Sequence, residues 1–302
     1  MKKVSVILTT YNGEKSVERT INSILNQNGI NKEFVLELIV VDDCSTDNTI
    51  EIVNKFDILL LSTIRNSGGP NAGRNIGLKH ATGDYIMIAD QDDVWKEHRL
   101  ISLIPHLKKV PVVSSGYTIY DISKKNKIER VKHHNSGFVY YGKNKTFINK
   151  LTKSLKGQNT YLGSIIFKKN LKGILFEEHF GMVDYDWILN IFYQNDSVEV
   201  CDSLYSRYVE SNNLSLNEYY RKVDFYYSLF CIENYEREFP GEVRIAYKRI
   251  HGTRARYYYL KGNMKKARYY FLRSEISLKT IIFYLTTFAG SKIVIKKFNV
   301  FG

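Results

Sequence analysis

The stretch YIMIADQDDVW, residues 85–95, joins an apolar run to three carboxylates within four positions. The apolar run predicts a buried β-strand, and Asp90, Asp92 and Asp93 follow at its carboxyl end. Carboxylates this close repel one another, so a fold keeps them together when a cation compensates their charge. Hard divalent ions such as Mn²⁺ or Mg²⁺ bind such oxygen ligands. For an isolated D-x-D-D, a solvated acidic turn is an equally good interpretation.

The residues that precede this stretch alternate between short apolar runs and helical patterns. Strands are predicted at residues 4–8, 36–41, 58–62 and 85–89. Helices are predicted at residues 15–26, 46–56 and 74–80, the last one directly after a glycine-rich stretch. This β-α-β-α-β-α-β order predicts a mostly parallel α/β sheet, in which ligands bind at the carboxyl ends of the strands.

Four more motifs come before Asp90 in a set order. They are SVILTTYN at residues 5–12, VVDDCSTD at residues 40–47, GRNIG at residues 73–77 and GDYI at residues 83–86. As an ordered set, these motifs resemble the family 2 glycosyltransferases over roughly residues 3–215. The resemblance implies a GT-A nucleotide-sugar-binding fold, a mostly parallel Rossmann-like sheet with helices on both faces, followed by a C-terminal helical region. The sequence departs from the family at Cys44, where glycine is usual, and near Thr9, where many members have proline.

The activity implied by the resemblance is an inverting, metal-dependent transfer of a sugar from a nucleotide-diphosphate donor, with UDP as the favoured nucleotide. The variant DQDDVW, residues 90–95, is similar to that of bacterial surface-polysaccharide enzymes, including rhamnosyltransferase-like members. The acceptor would then be a hydroxyl of a glycan or of a lipid-linked oligosaccharide.

Residue by residue, the resemblance implies a nucleotide site at the strand ends. Thr9 and Tyr11 would line a uridine pocket, with the Tyr11 ring against the base. Asp43 would accept a hydrogen bond from the pyrimidine N3–H, a donor that cytosine lacks. Arg74 would pair with the diphosphate or with a neighbouring carboxylate. Asp90 would lie near the ribose.

The resemblance places the metal ion, Mn²⁺ or Mg²⁺, on Asp92, where it can neutralise the charge that develops on the departing phosphate. Further candidates for the site are Asn12, Asp42, Asp93 and Arg207. Turn formation and helix capping are alternative roles for Asp42 and Asp43, and they are the favoured role for Asp47.

An inverting transfer also needs a base, because the acceptor hydroxyl loses its proton as it attacks. The stretch GMVDYDWIL, residues 181–189, resembles the family's Glu-Asp motif at the start of a helix, with Val183 at the glutamate position. Asp184 falls on the catalytic position, and Asp186 is the second candidate. The alternative is that both acids only favour the N-terminus of a helix predicted at residues 187–193.

A later segment also resembles the family. The stretch LYSR at residues 204–207, together with residues 213–215, is similar to its Tyr-Arg-x-His segment, although Val209 stands at the histidine position. The resemblance therefore implies that Arg207 faces the diphosphate, without a histidine ligand beside it.

We predict three parts of the chain. Residues 1–110 form the nucleotide-sugar-binding half of the GT-A domain, residues 111–215 the acceptor-binding half, and residues 216–302 a basic, Tyr-rich helical region. Strands are predicted in the second part at residues 112–120 and 163–167, and a helical hairpin in the third at residues 254–260 and 265–277. Gly262 would stop the first helix of the hairpin, and Asn263 would cap the second.

The net charge of +13 is concentrated in the last part of the chain. Residues 243–302 contain 14 of the 44 Lys and Arg residues and a single acid, Glu275, so the first 242 residues are balanced. Apolar runs at residues 281–285 and 293–295 lie between lysines, a pattern that suits an anionic membrane surface. The alternative is a helical subdomain packed on the catalytic part or on a second copy of the chain.

The cysteine content and the lack of a predicted leader or membrane span favour a cytoplasmic protein. If the basic tail binds lipid, the protein would lie peripherally on the inner face of the membrane. Three scattered cysteines fit neither a zinc site nor a disulfide framework, and no leader or membrane span is predicted. A dinucleotide-dependent oxidoreductase is excluded because G-x-G-x-x-G is missing after the first strand.

A non-enzymatic, basic nucleotide- or nucleic-acid-binding protein is the alternative function. The aromatic residues at 257–259 and 269–271 would then stack on single-stranded bases. Their helical spacing is explained more simply by packing within a helical hairpin. No nucleic-acid partner is expected, because the first 242 residues carry no net charge.

Overall fold

The computed structural model describes residues 1–122, 125–154, 156–209 and 217–289. The chain divides into two compact units. The first comprises Met1–Phe147 and Lys156–Tyr220, and the second comprises Ile148–Leu155 and Arg221–Gly302.

The first unit is built on a sheet whose strands, in the described part of the chain, are β1 (Lys2–Thr10), β2 (Phe34–Asp42), β3 (Leu59–Ser62), β4 (Tyr85–Asp90), β5 (Val94–Trp95), β6 (Val112–Asp121), β7 (Asn126–Arg130), β8 (Phe138–Tyr141), β9 (Ile166–Lys168) and β10 (Ser197–Val209). Their order is β3-β2-β1-β4-β9-β6-β10-β5, with β7 beside β6 and β8 beside β10. The first four strands of this order are parallel, as are β6 and β10, whereas β9 runs antiparallel between β4 and β6.

Helices cover both faces of the sheet. The helices in this part of the chain are α1 (Val17–Leu25), α2 (Thr49–Val53), α3 (Asn71–His80), α4 (Arg99–Leu103), α5 (Lys145–Leu151), which belongs partly to each unit, and α6 (Tyr185–Phe192). Apolar residues of α1 and α4 pack with Val4, Val6 and Leu8 of β1. On the opposite face, α3 approaches β1 so closely that a Cβ at Gly77 would clash with the Ile7 side chain. The predicted α/β class is therefore confirmed.

Several predicted boundaries were wrong. Helix α2 covers only Thr49–Val53, and before it Asn12 and Asp47 accept from the backbone N–H groups of Thr46 and Thr49 in a turn. Helix α3 starts three residues early, after Pro70, whose fixed φ suits a helix start. Helix α6 likewise starts at Tyr185 instead of residue 187.

The strand predicted at residues 163–167 was also partly wrong. A 3₁₀ turn occupies Leu162–Ser164, and β9 covers only Ile166–Lys168. In this turn the Ser164 backbone N–H donates to the Tyr161 carbonyl at 2.8 Å, so these residues do not pair with a neighbouring strand.

The second unit contains α7 (Glu218–Glu233), α8 (Pro240–Leu260), α9 (Met264–Phe271) and α10 (Leu278–Thr286). Gly262, with φ of 76°, ends the turn after α8, and the Asn263 side chain accepts from the Lys266 backbone N–H. The predicted C-terminal helical region, its stop and its cap are thus confirmed, although α8 begins earlier and α9 ends earlier than predicted. Within the described ranges, every helix is too short or too polar to cross a lipid bilayer.

Several aromatic residues of this hairpin pack within it. Tyr259 and Phe271 are buried in one cluster with Phe283, and Tyr258 stacks on Tyr270 with 5.5 Å between ring centroids. Tyr259 and Phe271, which are buried in this way, cannot stack on nucleic-acid bases, whereas Tyr269 is 52% exposed.

Candidate active site

The predicted site residues meet at the carboxyl edge of β1, β2 and β4. In the strand register Thr9 lies opposite Val41 on one side and opposite Asp90 on the other. The loops that follow these strands therefore emerge side by side. This is the edge at which parallel α/β sheets bind ligands.

Asn12 and Asp42 organise the loops after β1 and β2. The Asn12 side chain accepts from the Thr46 backbone N–H at 2.8 Å, and the backbone N–H of Asn12 donates to Ser45 Oγ at 2.9 Å. Asp42 accepts from the backbone N–H of Ser45 at 2.9 Å and from its hydroxyl at 2.5 Å. The contacts of Asp42 fit its turn-forming alternative.

Asp43 is nearly buried, with 6% of its surface exposed. Its carboxylate accepts from Thr63 Oγ1 at 2.8 Å and from the backbone N–H and the hydroxyl of Ser67 at 3.0 Å. These bonds hold the loop after β3 against the end of β2. A bond from Asp43 to a pyrimidine base stays a prediction.

Gln91 fixes the position of Tyr11. Its side-chain oxygen accepts from Thr10 Oγ1 at 2.7 Å and from the Tyr11 backbone N–H at 2.8 Å, and its amide donates to the Tyr11 carbonyl at 3.2 Å. The Tyr11 residue is 45% exposed. The Tyr11 backbone is thus held beside the carboxylate stretch, and contact of the Tyr11 ring with a base stays a prediction.

Arg74 and Tyr161 both hold Asp90. The buried Arg74 guanidinium donates to Asp90 Oδ1 at 2.9 Å, and the Tyr161 hydroxyl donates to Oδ2 at 3.1 Å. Two partners were predicted for Arg74, the diphosphate or a neighbouring carboxylate, and in the structure Arg74 pairs with the carboxylate of Asp90. Arg207 lies over the Tyr161 ring, 4.5 Å from its centroid, so the structure brings it close to Asp90.

Asp93 lies in the interior instead of the open site. It is 1% exposed, and neither carboxylate oxygen has a hydrogen-bond partner among the residues that the structure describes. Burial, together with the charges of Asp90 and Asp92, raises the pKa of the Asp93 carboxyl well above its usual range, although Arg207 and Arg99 oppose the shift. Asp93 is therefore poorly placed to contact a ligand directly.

Asp92 is half-buried, and its backbone carbonyl lies 3.4 Å from Arg19 Nη2. No group of three or more His, Cys, Asp or Glu side chains in the described ranges is arranged to hold a metal by itself. Mg²⁺, however, is commonly bound by one or two carboxylates and by substrate phosphates. The hard oxygen ligands of Asp92 fit an ion of this kind, with the donor supplying further oxygens.

Asp184 is the N-cap residue of α6, but its side chain makes no capping hydrogen bond. Its backbone carbonyl accepts from the Ile188 N–H at 2.9 Å. Asp186 follows in the first helical turn and is half-buried. Val183, at the family's glutamate position, is fully buried and thus belongs to the core. Both acids thus lie at the N-terminus of α6, where the alternative also places them, and the assignment of Asp184 as the base stays a prediction.

Three residues that hold predicted site residues in place were not predicted from the sequence, namely Gln91, Tyr161 and Asn71. Gln91 lies inside the carboxylate stretch, where only the acids had been considered. Tyr161 and Asn71 lie in segments without a distinctive pattern for these contacts. Residues 213–215, which resemble the family's last segment, lie outside the described residues.

The model of glycosyl transferase family 2 matches residues 5–172 of the chain. The poly(ribitol-phosphate) beta-N-acetylglucosaminyltransferase TarS of Staphylococcus aureus is 44% identical over 97 residues, which are 31% of this chain and 17% of TarS. The Escherichia coli UDP-Glc:alpha-D-GlcNAc-diphosphoundecaprenol beta-1,3-glucosyltransferase WfaP is 35% identical over 126 residues, 41% of this chain and 48% of WfaP. The matched segments thus span less than half of either relative.

Solved structures agree with the predicted fold. The structure of S. aureus TarS 1–349 in complex with UDP-GlcNAc matches with a TM-score of 0.66 and 19% identity, covering 99% of this chain and 92% of that chain. The same fragment in complex with UDP matches with a TM-score of 0.63 and 20% identity. Likeness at this identity concerns the fold, and it confirms the predicted GT-A type.

Proposed function

The chain belongs to glycosyl transferase family 2, and from this membership we propose that it transfers a sugar from a UDP-sugar to a hydroxyl of a glycan or lipid-linked oligosaccharide in bacterial surface-polysaccharide synthesis. One observation carries the proposal. Gln91 holds Tyr11 next to Asp90 and Asp92 at the carboxyl edge of the sheet. An exposed aromatic ring beside two carboxylates suits a nucleotide base and a metal-bound diphosphate.

UDP is the favoured nucleotide because Asp43 lies at the end of β2 with carboxylate oxygens that can accept from the uracil N3–H. Solved structures of TarS contain UDP and UDP-GlcNAc, and WfaP is named for UDP-Glc. These relatives support a uridine nucleotide and an acetylglucosamine or glucose type of sugar. Arg74 and Tyr161 keep Asp90 oriented at the edge where the ribose would lie.

We infer that Asp184 removes the proton of the acceptor hydroxyl in a single, inverting displacement. Its carboxylate makes no helix-capping bond and so is available to a substrate. TarS and WfaP are named for β-linked products, the configuration that a single displacement on an α-linked donor gives. A divalent ion, Mn²⁺ or Mg²⁺, held through Asp92 would neutralise charge on the departing diphosphate.

UDP binding is the direct test of this function. In a thermal-unfolding assay with Mn²⁺, we expect UDP to raise the melting temperature more than CDP does, because cytosine lacks the N3–H donor. At a concentration of 100 times its Kd, a ligand stabilises the folded state by about 2.7 kcal/mol. A single-stranded oligonucleotide should give no comparable shift. Stabilisation by the oligonucleotide but not by UDP would favour the non-enzymatic alternative.

We also propose that the protein binds the inner face of an anionic membrane, where a lipid-linked acceptor would be located. In the described part of the predicted tail, α10 exposes apolar side chains at helical spacing, at Leu278, Ile281, Ile282 and Leu285, and the exposed Phe288 follows the helix. Residues 243–289 contain 11 Lys and Arg residues and one acid. An anionic partner suits this charge better than a second copy, which would bring like charges together. The apolar run at residues 293–295 lies outside the described residues.

Co-sedimentation with anionic liposomes tests this location. We expect binding at low salt that weakens at high salt, since each basic residue near the surface contributes about 1 kcal/mol. Leu285→Ser should reduce binding, whereas Ile64→Ser, at a fully exposed apolar residue of the first unit, is a matched control that should not. Failure to bind anionic liposomes at low salt, or self-association that Leu285→Ser abolishes, would contradict the proposal and favour a second copy.

A further inference from the structure

Two buried asparagines of α3 hold the chain segment that leads into α6. Asn71 is fully buried and Asn75 is 2% exposed. The Asn75 amide donates to the Phe176 carbonyl at 2.8 Å and to Glu178 Oε1 at 2.6 Å, while its oxygen accepts from the Phe176 N–H at 2.8 Å. These contacts fix the beginning of the segment at residues 176–183.

Asn71 holds the other end of the segment and also contacts the donor side of the site. Its amide donates to the carbonyls of Glu177 and Val183, both at 2.8 Å, and its side-chain oxygen accepts from Arg74 Nη1 at 3.0 Å. The second guanidinium nitrogen of Arg74 donates to Asp90. A continuous chain of hydrogen bonds therefore runs from Asp90 to the peptide that immediately precedes Asp184.

The backbones are also in direct contact at this point. The Asn71 N–H donates to the Gly181 carbonyl at 3.0 Å, and a Cβ at Gly69 would clash with that same carbonyl. Gly181 has φ of 71°, in the left-handed region that favours glycine. With no side chain between the two backbones, the segment has little room to shift relative to α3.

We propose that Asn71 is a positioning residue that sets the Asp184 carboxylate relative to the donor held near Arg74 and Asp90. The inference rests on the proposed function, in which Asp184 is the base. The position requires an amide, because two N–H donors must reach two carbonyls while an oxygen accepts from a guanidinium. Aspartate would keep the bond to Arg74 but place a carboxylate oxygen against two carbonyl oxygens.

Asn71→Asp separates positioning from donor binding. We expect kcat for transfer to fall by about 100-fold, the loss that a displacement of about 1 Å can cause. The affinity for UDP should stay close to that of the wild type, because the bond to Arg74 is retained. Asn75→Ala is the control. It removes a similarly buried amide whose partners, Phe176 and Glu178, lie at the start of the segment and not next to Asp184. It should lower the melting temperature without a comparable loss of kcat.

A double-mutant cycle shows whether Asn71 acts through Asp184. In the Asp184→Asn background, Asn71→Asp should cause little further loss, because residues that act as one unit are not additive. The positioning role would be overturned if Asn71→Asp lowered kcat by the same factor in the Asp184→Asn background as in the wild type. It would also be overturned if Asn71→Asp left kcat unchanged, or lowered the UDP affinity as much as kcat. Full activity of Asp184→Asn alone would instead refute the base assignment, so the two failures are distinguishable.

Discussion

Asp184→Asn is expected to lower the transfer rate by a factor of about 10² to 10⁴, the usual contribution of a general base. Asparagine has nearly the same shape but cannot take the proton of the acceptor hydroxyl. Because this role belongs to the transition state, the affinity for UDP should remain near that of the wild type. Initial rates with a UDP-sugar and an acceptor, together with UDP titrations, measure the two quantities separately.

Asp186→Asn is the natural control for this substitution, because Asp186 lies two residues further along the same helix. It should leave transfer largely intact. If Asp186→Asn is inactive while Asp184→Asn is active, the base is Asp186. If Asp184→Asn loses UDP affinity as strongly as transfer, the residue has a structural role and the proposed mechanism is wrong.

Removal of the divalent ion should lower the transfer rate about as strongly as Asp184→Asn. Excess chelator is expected to stop transfer, and added Mn²⁺ or Mg²⁺ should restore it, because the ion neutralises charge on the leaving diphosphate. Asp92→Asn should lower activity by about 100-fold or more, because the ion would lose one of its few protein ligands. Asp57→Asn, at an exposed acid outside the site, should have no such effect. Undiminished turnover in excess chelator would contradict the metal role of Asp92.

The fold class followed from the sequence because its signals are local. The apolar runs of β1, β2, β3 and β4 have the length and composition of buried strands, and the structure places strands at all four. The residues at which helices begin and end were less predictable than the existence of the strands. Helix α2 lacks its predicted first turn, and there the Asn12 side chain, 34 positions from Thr46 in the chain, accepts from the Thr46 backbone N–H.

The sequence determined which residues reach the site's edge, since residues that end parallel strands must share one edge of the sheet. Thr9 and Asp90 lie there for that reason, and Asp43 directly follows the last residue of β2. It could not distinguish Asp92, which remains half-exposed, from Asp93, which is buried. The two are adjacent in the chain, and only the packing around them separates their environments.

The contacts that organise the site were decided by the tertiary structure alone. Tyr161 reaches Asp90 across 71 positions of sequence, and Asn71 reaches Val183 across 112. A hydrogen bond of this kind depends on how two distant segments pack, and neither segment carries a local pattern that encodes it. Periodicity along the chain thus determined the sheet and its ligand-binding edge, whereas long-range packing determined which side chains hold Asp90 and Asp184 in place.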